Sequence, residues 1–160
     1  MFFDRYLGKD FSGLKQDIES HPRMYGHYIV GLVELNRSKT ATIEREEILD
    51  AVFQHFDPST WPPPAQRPQD QSWEDYECSG ESAREHTIEA LMGGHFIGHS
   101  KATMDQETAS GLFERFESFF ESNRKYYFGL SFGDRKYTFQ HGCAMADAAR
   151  IGVLCLAESD

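Results

Sequence analysis

The chain has little sulfur chemistry to offer. Cys78, Cys143 and Cys155 are its only cysteines, and no CxxC pair occurs. An odd, unpatterned set argues against a disulfide framework and fits a reducing compartment. No apolar run approaches the ~18 residues that a membrane-spanning helix needs. The opening residues, MFFDRYLGKDF, carry acids and hold no apolar core of signal-peptide length. These absences predict a soluble, cytoplasmic protein.

Nucleotide and acyl-transfer signatures are also missing. There is no GxxxxGK[ST], no GxGxxG after a strand and no GxSxG. Bases are scarce: 16 Lys and Arg stand against 26 Asp and Glu, a formal charge of −10. No basic patch is interleaved with aromatics, so nucleic acid is a poor partner, and an anionic membrane is equally disfavoured. The acid excess is spread along the chain. Residues 1–80 hold 14 acids and 8 bases, residues 81–160 hold 12 and 8, so the excess is no acidic tail.

What is present is a core. The chain has 13 Phe and 7 Tyr in 160 residues, a composition that folds. The length predicts one domain, residues 1–160. A helix is expected from Asp10 or Ser12 to about Ser20, ending before His21-Pro22. A second helix is expected over Thr42–Phe56, with Glu44, Glu46 and Glu47 in its first turn. Ser82 to about His99 reads as a third, with Ser82 and Glu85 at capping-box spacing and Gly93-Gly94 interrupting it. Thr103–Asn123 carries the cleanest signal. Thr103 and Gln106 have capping-box spacing, and Ala109, Leu112, Phe113, Phe116, Phe119 and Phe120 mark one buried face.

Residues 24–36, MYGHYIVGLVELN, suit two readings. As a helix, Tyr25, Ile29, Leu32 and Val33 form a stripe. As a strand, both faces are apolar, and two glycines with Tyr, Ile and Val favour it. Length and flanking helices tip the expectation to helix. Residues 57–80 form a long loop holding five of the six prolines, flanked by Trp61 and Trp73. PPPAQRP is a weak match to a proline-module ligand. The texture changes after Tyr126. Residues 126–132 and 136–141 read as a hairpin turning at Gly133-Asp134-Arg135, and Ile151–Leu156 as a buried central strand. The expected fold is therefore α+β: a helical N-terminal two-thirds packed on a small C-terminal antiparallel sheet.

Three chemistries compete. His95 and His99 are four apart and could share one metal ion, with Glu85 and His86 upstream. The pair resembles the paired helical histidines of DinB-like metal-binding bundles, which have a similar chain length. That resemblance implies a helical bundle, from which the strand-rich tail departs. Cys143, with His141 before it and Asp147 after it, is a candidate nucleophile, though known Cys–His sites are assembled from distant segments. Cys78 is the thiol expected to be exposed.

The third chemistry is binding. Glu114, Glu117 and Glu121 are neighbours on a helix back, where like charges disfavour the isolated helix. Glu74 and Asp75 stand beside Trp73 and Tyr76, an aromatic centre ringed by charge. Solvated surface accounts for such residues too. The chain is similar in general character to bacterial immunity proteins, which are compact, acidic and short of catalytic motifs. That character implies a non-enzymatic inhibitor without a cofactor, whose carboxylates cover a basic toxin. The alternatives are a metal-binding protein or metal-dependent enzyme using His95 and His99, and a self-associating protein such as a homodimer.

Overall fold

The structure is a computed structural model and describes residues 1–21, 26–56, 72–93, 104–128 and 139–158. Its centre is a six-stranded antiparallel sheet. The strands are β1 (Phe3–Arg5), β2 (Gly26–Leu35), β3 (Glu77–Cys78), β4 (Lys125–Tyr127), β5 (Phe139–Ala146) and β6 (Arg150–Glu158). They lie in the order β1-β2-β6-β5-β4-β3. The helices are α1 (Lys9–Glu19), α2 (Arg37–Thr40), α3 (Arg45–Phe53), α4 (Gly80–Met92) and α5 (Gln106–Glu117).

This arrangement overturns the expected division of the chain. Strands are not confined to the C-terminal third. β1 and β2 form early, and β2 pairs with β6 from Gly26↔Glu158 to Glu34↔Arg150. Within the stretch 24–36 expected as a helix, Gly26–Leu35 form β2, and residues 24 and 25 lie outside the described residues. The physical reason for the strand is burial on both sides. Ile29 and Val33 face one core, and Val30 and Leu32 face the other. A strand covered on both faces loses its polar–apolar alternation and reads as a continuous apolar run. Only the backbone preference of its Tyr, Ile, Val and Gly content then speaks for a strand. β1 spans three residues, too few for any period to show.

The same alternation splits the interior into two layers. Ala144, Ala146, Ile151, Val153 and Cys155 join α3 residues Ile48, Leu49, Val52 and Phe53 on one face of the sheet. Cys143, Met145, Leu154 and Leu156 join α1, α4 and α5 on the other. The Ile151–Leu156 segment lies within β6, between β2 and β5, as its nearly all-apolar composition requires. The fold is thus a sheet with helices on both faces.

Helix ends are shorter and better defined than the periodicity indicates. α5 is capped by Asp105, whose carboxylate accepts from the Thr108 N–H at 2.8 Å. Hydrogen bonding from Thr108, by its side chain first and by that backbone N–H second, favours the ionised form and holds the Asp105 carboxyl below the ordinary range. Thr103 lies outside the described residues. The helix stops at Glu117, although the aromatic stripe continues. Ser118 Oγ bonds back to the Arg115 carbonyl at 2.6 Å, and Phe119 and Phe120 follow in tight turns. Phe120 is still buried. α4 is capped by Ser79, one turn before the expected Ser82, and it ends at Gly93. Gly93 has φ of 84°, the left-handed conformation that closes a helix C-terminus.

Candidate partner-binding surface

α4 and α5 lie side by side on one face of the sheet. Arg84 of α4 hydrogen-bonds Ser110 and pairs with Glu114 at 3.0 Å, so the first turns of α4 lie against the middle and end of α5. The inward residues are apolar or small: Ala83, Ala90 and Leu91 on α4, and Ala109, Leu112, Phe113 and Phe116 on α5. The outward residues follow from helical spacing. Glu81, Glu85 and Glu89 recur every four residues on α4 and are all exposed. Glu107 and Glu114 are exposed on α5.

The charge balance of this helix pair is one-sided. α4 carries Glu81, Glu85 and Glu89 with one base, Arg84. α5 carries Glu107, Glu114 and Glu117 with one base, Arg115. Both bases are engaged within the chain. Arg84 holds Glu114, and Arg115 reaches across to Asp17 of α1 at 2.7 Å. With Glu81, Glu85 and Glu107 also exposed, the outer surface of the two helices carries a net negative field.

The three glutamates singled out on the 103–123 stretch have different surroundings. Glu114 is exposed despite its pair with Arg84. Glu117 is largely withdrawn: it accepts from the Tyr126 hydroxyl at 2.6 Å and pairs with Arg124 at 3.6 Å. Its carboxylate and burial together raise the Tyr126 pKa, burial being the larger cause. Glu121 follows the helix and faces Arg37 of α2 at 3.3 Å. Together they tie α5 and the segment after it to three separate parts of the chain.

The second expected patch lies on the opposite face of the sheet. Trp73 starts a 3₁₀ turn, Trp73–Tyr76, and is 3% exposed. Its indole N–H donates to Asp50 Oδ1 at 2.8 Å, and its backbone N–H donates to Glu46. Phe53 and Tyr127 meet its ring edge-on. Trp73 is therefore a core residue, and Tyr76 packs half-buried beside it. Glu74 and Asp75 are exposed, and Asp75 also closes a capping box with Ser72. The structure does not bring this patch together with Glu114, Glu117 and Glu121.

His95 and His99 lie outside the described residues. α4 ends before them, so the single helix expected from Ser82 to His99 is shorter. Glu85 points outward, and the His86 ring stands edge-on to Phe128 at 4.7 Å. Among the described residues, no group of three or more His, Cys, Asp and Glu could hold a metal ion.

Cys143 is buried beneath α4, and burial pushes its thiol up to about 12. A nucleophile needs the thiolate, which that environment suppresses. Asp147 does not serve it. The Asp147 carboxylate is occupied by the backbone N–H groups of Glu121, Ala149 and Arg150. Cys78 is half-buried on edge strand β3, and burial raises its thiol as well.

The outward residues of α4 leave a plain signal in the sequence. Glu81, Glu85 and Glu89 stand at i, i+4 and i+8 in the sequence, the spacing of one outward helix face, and only Glu85 among them is named from the sequence. Comparison with protein-family models, with curated proteins and with solved structures gives no match.

Proposed function

We propose that the chain is a small acidic inhibitor of immunity type, which binds and occludes a cognate basic toxin in the cytoplasm of the producing cell. One observation carries the reading. The outer surface of α4 and α5 exposes five glutamates, Glu81, Glu85, Glu89, Glu107 and Glu114, against two arginines, and both arginines are already paired within the chain. Such a surface accelerates encounter with a Lys/Arg-rich partner and orients it. Glu81, Glu85, Glu107 and Glu114 are the contact residues, with Glu121 at the margin. Glu74 and Asp75, across the sheet, form a separate acidic edge. Trp73 acts from within, holding that edge in place.

Inhibition of this kind needs no reaction and no cofactor. Carboxylates at the rim pair with the partner's cations, and the rigid helix pair covers its active site. The helices are backed by the sheet, so little ordering entropy opposes docking. No described helix is long and apolar enough to cross a membrane.

The test is co-expression with the secreted product of the adjacent gene. Growth rescued by this chain, and lost when Glu81, Glu85, Glu107 and Glu114 become Gln together, supports the proposal. An adjacent gene of metabolic function, or rescue untouched by those four changes, counts against it.

A further inference from the structure

We draw no further inference here: the strongest candidate, the exposed carboxylate patch formed by Glu81, Glu85 and Glu89 of α4 beside Glu107 and Glu114 of α5, belongs to the surface already described, and nothing in the structure shows what covers it.

Discussion

The carboxylate of Asp147 accepts a 2.7 Å hydrogen bond from the backbone N–H of Glu121. Its other oxygen takes the N–H groups of Ala149 and Arg150, each at 2.7 Å. One buried side chain thereby closes the β5–β6 turn and ties it to the segment that follows α5. Asp147→Ala leaves three backbone donors without their acceptor. Stability should fall by about 2–4 kcal/mol, given the cost of an unsatisfied buried donor. Urea unfolding measures it. A change below about 0.5 kcal/mol would show that water replaces the carboxylate at no cost.

Trp73 joins two segments that are distant in sequence. Trp73→Phe keeps much of the ring packing but removes the donor to Asp50. A loss of about 1–2 kcal/mol is expected, and Trp73→Ala should cost about 3–5 kcal/mol. The folded variants should bind a partner at the α4–α5 surface as the parent does. Denaturant curves paired with binding titrations separate these effects.

The layers explain what could be read in advance. α1, α3 and α5 are one-sided helices, so their apolar stripes were legible, and so was the fully apolar run that became the core of β6. β2 was not. Its residues serve two cores at once, and its pattern therefore matches a buried helix as well as a central strand. The candidate site followed the same logic. Glu114 is visible as an outward residue because α5 has a clear inward face. Trp73 looked like a surface anchor because its loop is polar, and only the bonds to Glu46 and Asp50, donated across 27 and 23 residues, draw it inside. Such tertiary pairings leave no local pattern.

Two glycines give opposite expectations. Gly142 in β5 has φ of +128°, and a Cβ there would stand 2.2 Å from the Leu154 carbonyl oxygen. Gly142→Ala should abolish folding or destabilise by more than about 3 kcal/mol, because neither the backbone angle nor the strand beside it can yield. Gly13 in α1 meets nothing within 4 Å of such a Cβ. Gly13→Ala should stabilise by about 0.5–1 kcal/mol. Thermal melts of the two variants check both signs.

Alkaline pH should weaken the fold through Cys143. Its folded thiol is pushed up to about 12, whereas an unfolded thiol ionises near ~8.5. The unfolded chain thus releases this proton first. The contribution is complete below about pH 8.5 and is lost as pH rises from there toward the folded value, by up to ~1.4 kcal/mol per pH unit. Cys143→Ala removes that component. The stability difference between parent and variant should shrink steadily from pH 8 to pH 10, in chemical denaturation at each pH. A constant difference would place an ionisable thiol at Cys143 in the folded state.

We propose that the α4–α5 surface binds a basic toxin through its carboxylates. The direct measurement is the dissociation constant for the purified product of the adjacent gene, at 50 and 500 mM salt, with the parent chain and with the E81Q/E85Q/E107Q/E114Q variant. Four rim charges at about 0.5–1 kcal/mol each predict affinity weaker by about 30-fold or more in the variant at low salt. High salt should weaken the parent more steeply than the variant. Equal affinity for both chains, or a parent complex indifferent to salt, would contradict the claim.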